Sequence, residues 1–175
     1  MKSRKENNMD KSKKKLLEML YEYLEYRDGH LWWVKSRGGV RVGKRFGTVN
    51  SDGYVVGGLF GKLYYEHHLV WFYHYKTWPL ELDHKDTKRD NNEISNLREA
   101  TSQQNKFNVG PRKNGTSKYK GVCWYKRDSN WKAQYRLNGK NYHIGYYDTE
   151  EQAAKAYDET VRDLHQNFFR GNNYG

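Results

Sequence analysis

Asp83 and His84 stand side by side, Asn96 follows in the run Ser95, Asn96, Leu97, Arg98, and Asn105 closes the run Ser102, Gln103, Gln104, Asn105, all within 23 residues. These residue types suit metal-assisted hydrolysis of a phosphodiester. The reaction needs an activated water and something to neutralise the charge growing on the leaving 3′ oxygen, and a histidine base plus one hard divalent cation supplies both. Asp83 and Asn105 offer oxygen ligands of the kind Mg2+ or Mn2+ prefers, which leaves His84 to take the proton. An isolated Asp-His pair is more often a solvated turn; four suited positions in order argue against that reading.

The elements around these residues are legible in outline. Residues 80–84 read as extended after Pro79, 85–92 as a polar Asp/Asn-rich loop, and 96–100 as a second short strand. Thr101 to Gln104 has the Thr-x-x-Gln form of a capping box, so Thr101 caps a helix carrying Asn105 on its second turn. Strand, loop, strand and helix would set the helical amide opposite Asp83 and His84. A calcium loop is a poor fit, because the Asp-rich segment lacks the central Gly and terminal Glu of an EF-hand. A zinc site is weak as well, since Cys123 is the only cysteine. His67, His68 and His74 lie among Leu69, Val70, Trp71, Phe72 and Tyr73 and read as structural or substrate-edge residues on a partly buried helix beginning near Glu66.

The stretch from His67, His68, Leu69, Val70 and Trp71 through Leu82, Asp83, His84, Lys85 and Asp86, then Asp90, Asn91 and Asn92, then Asn96, Leu97, Arg98 and Asn105, resembles the HNH endonucleases of bacteriophages, homing enzymes among them. The resemblance covers residues 16–108. It implies a ββα-metal nuclease domain in which Asp83 and Asn105 bind the metal, His84 activates water, and Asn96 pins the loop by hydrogen bonds. Asn105 replaces the final His that names the motif, an alternative known in the phage branch.

Composition points to the same kind of partner. The chain has 175 residues, formal charge +11 and 16% aromatic residues, which suits phosphate contacts interleaved with rings. No apolar run approaches the roughly 20 residues of a membrane span, and the basic N-terminus lacks the apolar core of a signal peptide. One cysteine excludes an internal disulfide and fits a reducing cytosol.

Residues 1–15 hold seven Lys/Arg against two Asp/Glu and read as a disordered basic arm, which either touches the DNA backbone or only solubilises the chain. Residues 16–26 carry Leu16, Leu17, Leu20 and Leu24 at helical spacing. Short strands are expected at 31–34, 45–49, 54–56 and 62–65. Residues 109–117, rich in Gly, Pro and polar side chains, read as a linker.

Beyond the linker, residues 120–125, 131–136 and 142–147 read as three antiparallel strands, with an Asn138-Gly139 turn between the last two. Thr149 to Gln152 forms another capping-box pattern, and Ala153, Ala154, Tyr157, Val161 and Leu164 line one helix face. Residues 118–147 carry seven Lys/Arg and one Asp, whereas 148–163 carry six Asp/Glu and two Lys/Arg, so the sheet is the phosphate-facing side. Alternation puts Lys132, Gln134 and Arg136 on one face of the middle strand, and Trp131, Ala133 and Tyr135 on the other. The first trio is suited to DNA contact: Arg reads guanine, Gln reads adenine, and Lys neutralises phosphate.

Tyr119 to Val122, Trp131 to Gln134, Leu137 to Lys140, His143 to Thr149, and Ala153 to Asp158 resemble the AP2 DNA-binding domain. That family presents its sheet to the major groove, with basic or Trp residues reading bases, and so implies Lys120, Trp124, Lys126, Arg127 and Lys140 as further DNA-binding residues. Lys120 stands where the family usually has Arg, and Cys123 and Tyr125 replace positions often basic in plant members.

The expected protein is α+β: a basic arm (1–15), a nuclease domain (16–108), a linker (109–117) and a three-stranded sheet packed on one helix (118–172). Its expected activity is metal-dependent cleavage of double-stranded DNA with one Mg2+ or Mn2+, in the cytoplasm of a bacterial host for a phage-encoded chain. No membrane and no obligate protein partner are expected, and the sequence leaves the oligomeric state open. The alternatives are a sequence-specific regulator with a dead nuclease site and a structural or RNA-binding protein using the same charge.

Overall fold

A computed structural model of the chain describes residues 10–111, 114–165 and 168–174. The fold is mixed α+β, built from small antiparallel sheets and short helices in two compact units that divide between Glu99 and Ala100.

The first unit opens with α1 (Lys11–Tyr23), whose N-terminus is capped by the Asp10 side chain accepting from Ser12 N. The helix thus begins inside the stretch expected to be a disordered arm. Asp10 satisfies an otherwise orphaned N–H, and the lysines that follow are good helix formers. The rest of the expected arm, residues 1–9, lies outside the described residues. The helix also ends three residues early, because Leu24 switches to extended backbone and opens β1 (Leu24–Arg27), paired antiparallel with β2 (His30–Trp33).

A three-stranded sheet follows in the order β3 (Thr48–Val49), β4 (Val55–Leu59), β5 (Lys62–Tyr65). The strand expected over 45–49 shrinks to two residues. Gly47 adopts φ 68°, and a Cβ there would sit 2.6 Å from Val56 O, so the backbone turns against β4 and sends Phe46 into the core. α2 (Glu66–Tyr75) buries Leu69, Val70 and Phe72 against Leu20, Leu24, Leu31, Trp33, Phe46, Leu59 and Leu97. The unit closes with β6 (Leu82–His84) and β7 (Leu97–Glu99), whose register sets Asp83 opposite Arg98 and His84 opposite Leu97.

The second unit contains α3 (Ser102–Asn108), begun by the complete Thr101/Gln104 capping box, and a sheet of β8 (Val122–Tyr125), β9 (Asn130–Leu137) and β10 (Lys140–Tyr147) with β9 central. α4 (Glu150–His165) packs on that sheet. Ala153, Ala154, Tyr157 and Val161 meet Val122, Ala133, Tyr119 and, from α3, Phe107. Leu164, expected on the same helix face, is 46% exposed on the last turn. The small Ala153 and Ala154 let the helix backbone approach the sheet. Gly121, at φ 78°, fits under Tyr157, where a Cβ would lie 2.0 Å from the ring. The end of the expected linker is tied into this unit: Ser117 Oγ donates to Glu150 Oε1 at 2.6 Å, and Thr116 Oγ1 accepts from Trp124 N at 3.0 Å.

Candidate active site and nucleic-acid interface

The β6–β7 ladder determines where Asp83 and its neighbour can act. Asp83 is 8% exposed, and its Oδ2 accepts from Arg98 Nε at 2.7 Å, directly across the ladder. The turn that joins the two strands is organised by Asn96 and Asp86. Asn96 Nδ2 donates to Asp86 Oδ1 and Asn91 O, both at 2.9 Å, while its Oδ1 accepts from Asp86 N at 3.1 Å. Burial alone would raise the Asp86 carboxyl, but hydrogen bonds from Asn91, Lys88 N and Asn96 hold it below the usual carboxylate range.

His84 is 5% exposed, and its Nε2 lies 3.0 Å from Asn92 Oδ1. Asn92 is fully buried, and its Nδ2 donates to Glu66 Oε2 at 2.7 Å. Glu66, also fully buried, opens α2; its Oε1 accepts from Leu31 N at 2.8 Å, and its Oε2 faces His30 Nδ1 at 3.2 Å and Arg45 Nη2 at 3.6 Å. A continuous polar chain therefore runs from the β2 backbone to the His84 ring.

Rings pack beside His84. His67 lies 5.0 Å from it and Tyr54 6.1 Å, centroid to centroid, and His67 stacks edge-on to His68 at 4.5 Å. His67 Nδ1 is buried without a hydrogen-bond partner among the described residues. Burial pushes the His67 imidazole down to about 2, with repulsion from His68 and His84 adding to the effect, and burial lowers His68 in the same direction. Both are neutral at physiological pH, so His67 is part of the wall around His84, a closer role than its place in an aromatic run suggested.

Asn105 lies on α3, which belongs to the second unit, with its N–H bonded to Thr101 O at 3.0 Å. The Asp83 carboxylate and the Asn105 side-chain amide each carry oxygen of the kind a hard divalent cation prefers, and Arg98 fixes the Asp83 carboxylate in orientation. Among the described residues no group of three or more His, Cys, Asp or Glu gathers as a metal cage.

In the second unit, Ala133 is buried and Trp131 and Tyr135 pack on the core, which turns Lys132, Gln134 and Arg136 to the other side of β9. Gln134 Nε2 donates to Cys123 Sγ at 3.8 Å, and Arg136 Nε donates to Gly139 O at 3.1 Å. Trp124 is 38% exposed and meets Trp131 edge-on at 5.1 Å. Lys126 and Arg127 occupy the exposed β8–β9 turn, where Arg127 pairs with Asp128 at 3.0 Å, and Lys140 is exposed at the start of β10.

Lys120 departs from its expected role on the DNA face. Its ammonium donates to Phe107 O at 2.6 Å and Lys106 O at 3.1 Å, the last carbonyls of α3, and burial pushes it down to about 8. It caps a helix. Tyr125, His143 and Tyr146, whose rings cluster at 4.5 to 5.1 Å, lie outside the expected set of DNA-binding residues. Their signal was present in the cross-strand aromatic pattern. Glu66 and Asn92 carried a fainter one, a lone carboxylate beginning an otherwise apolar helix and the second of two adjacent asparagines.

Comparison with known proteins matches the same two regions. The HNH endonuclease family model covers residues 64–107 and the AP2 domain model covers residues 117–167. An uncharacterized HNH endonuclease of Acanthamoeba polyphaga mimivirus is 41% identical over 87 residues, which span 50% of this chain and 44% of that protein. Protein 3.8 of Escherichia phage T7 is 34% identical over 89 residues, spanning 51% of this chain and 73% of that protein. No solved structure gives a significant match. Fold and site thus define a nuclease-type α+β unit joined to a DNA-binding-type sheet unit. The chain belongs to the HNH endonuclease family and carries an AP2 domain. No described helix is long and apolar enough to cross a membrane.

Proposed function

We propose that the protein is a metal-dependent DNA endonuclease of the homing type, with a nuclease domain over residues 16–108 that cuts double-stranded DNA and an AP2 domain over 118–172 that directs it. The observation that carries this reading is the environment of His84, an imidazole held at one nitrogen by Asn92, walled by neutral rings and adjacent in sequence to a carboxylate oriented by Arg98. His84 takes a proton from water as the new O–P bond forms, and the P–O3′ bond breaks with its electron pair passing to the 3′ oxygen. Asp83 and Asn105 would hold one Mg2+ or Mn2+, which when bound supplies Lewis-acid stabilisation of that oxygen. Asn96 keeps the loop between β6 and β7 in the shape that supports His84.

Lys132, Gln134 and Arg136, with Trp124, Lys126, Arg127 and Lys140, form the proposed DNA-reading surface. Tethering raises the effective concentration of the cutting unit near a bound site, so a nuclease domain of low specificity still cuts selectively. A phage relative supports the bacterial cytoplasm as the place of action.

The test is incubation of supercoiled plasmid with the full chain in Mg2+, in Mn2+ and in chelator. Cleavage with either cation and none in chelator is expected. Cutting that persists in chelator, or no cutting with any divalent cation, contradicts the proposal.

A further inference from the structure

The buried Glu66–Asn92–His84 chain has a directional property that bears on the base assigned above. We infer that Glu66 and Asn92 are positioning residues that dictate which ring nitrogen of His84 carries its proton. The inference rests on the reading of His84 as the base.

The polarity is set at the far end of the chain, at Glu66. Glu66 Oε1 accepts a backbone N–H from Leu31 at 2.8 Å, and Oε2 faces the Arg45 guanidinium at 3.6 Å, so both oxygens are turned to donors. The Asn92 atom 2.7 Å from Oε2 must therefore be the amide nitrogen, because an amide oxygen there would oppose a carboxylate oxygen. With its nitrogen so committed, Asn92 presents its oxygen to His84 at 3.0 Å. That oxygen only accepts. His84 Nε2 is thus the protonated nitrogen, and in the neutral ring Nδ1 carries the lone pair that takes the proton from water. The same bond favours the imidazolium that follows, since Nε2–H keeps its acceptor.

A simple brace does not need this polarity. Glu66 and Asn92 are both fully buried, and a buried carboxylate costs more to desolvate than a neutral amide of the same shape. Glu66→Gln separates the two roles. The carbonyl of the introduced amide must still face Leu31 N, which turns its NH2 toward Asn92. Asn92 then presents its oxygen to that NH2 and its own NH2 to His84. Nε2 becomes an acceptor and the proton moves to Nδ1. The substitution keeps shape and reverses the direction of every bond from residue 66 to the base, while giving up the Oε2 contact to Arg45.

The experiment is 15N–1H correlation of the histidine side chains in the full-length protein, with His84 assigned by comparison with His84→Ala, together with steady-state cleavage. The wild type is expected to show His84 as the Nε2–H tautomer. Glu66→Gln is expected to shift it to Nδ1–H and lower kcat by about 100-fold with KM within about twofold. Asn92→Ala should lower kcat in the same way with DNA affinity retained. An Nδ1–H tautomer in the wild type overturns the inference even if neither Glu66→Gln nor Asn92→Ala folds. So does a folded Glu66→Gln protein with unchanged tautomer and kcat. If His84→Ala cleaves like the wild type, the base assignment fails instead, and the tautomer still reports on the relay.

Discussion

Asp83 and Arg98 face each other across the β6–β7 ladder, and the guanidinium meets the carboxylate oxygen Oδ2 through Nε at 2.7 Å and Nη2 at 2.6 Å. The pair is largely buried, so each partner depends on the other for its charge to be tolerated. Arg98→Ala should destabilise the first unit by about 3 kcal/mol and raise the Mg2+ concentration for half-maximal cleavage roughly tenfold. Urea unfolding and a metal titration of cleavage rate check the two effects. An unchanged metal requirement in a folded variant separates Asp83 from the metal.

The His67 imidazole gives the fold an acid sensitivity of known sign. Its value falls from 6.5 to about 2 on folding, so between those limits the unfolded chain binds a proton that the folded chain refuses. Stability is therefore complete above pH 6.5 and is lost as pH falls toward the folded value, with a slope approaching about 1.4 kcal/mol per pH unit for this one group. His68, lowered for the same reason, adds in the same direction. Unfolding free energies measured from pH 7 to pH 5 should decline in the wild type and decline less steeply in His67→Gln.

Lys120 and Lys132 should separate cleanly by salt dependence. Lys132→Ala is expected to weaken DNA binding across sequences and to reduce the slope of log affinity against log salt by about one. Lys120→Ala removes two hydrogen bonds to the end of α3 and should instead cost the second unit about 1 to 3 kcal/mol with the salt slope unchanged. Binding titrations at several salt concentrations, alongside thermal unfolding, read both.

Gly121→Ala tests the packing of α4 on its sheet. The added methyl meets the Tyr157 ring at 2.0 Å from a backbone held at φ 78°. A loss of about 3 kcal/mol or more is expected, read as a lower Tm of the full chain.

What the sequence disclosed and what it hid follow from the range of the interactions. Thr101 and Gln104 form their capping box as local spacing required, as do Thr149 and Gln152, and α2 starts at Glu66. Local rules govern these. Phe46 falls within the strand expected over 45–49 because nothing nearby in sequence says that Gly47 must clear the backbone of β4. Lys120 is expected on the DNA face because a charge pattern cannot anticipate that α3 supplies carbonyls within its reach. Glu66 met Asn92 across 26 residues and Leu31 across 35, distances over which a single sequence carries no pairing signal.

His84 is proposed as the base of a DNA-cleaving site. Its most direct test is single-turnover cleavage of duplex DNA by the wild type and His84→Ala in Mg2+ or Mn2+, with binding measured on the same DNA. The variant is expected to bind as the wild type does and to cleave slower by about a thousandfold or more. A variant that cleaves at the wild-type rate contradicts it.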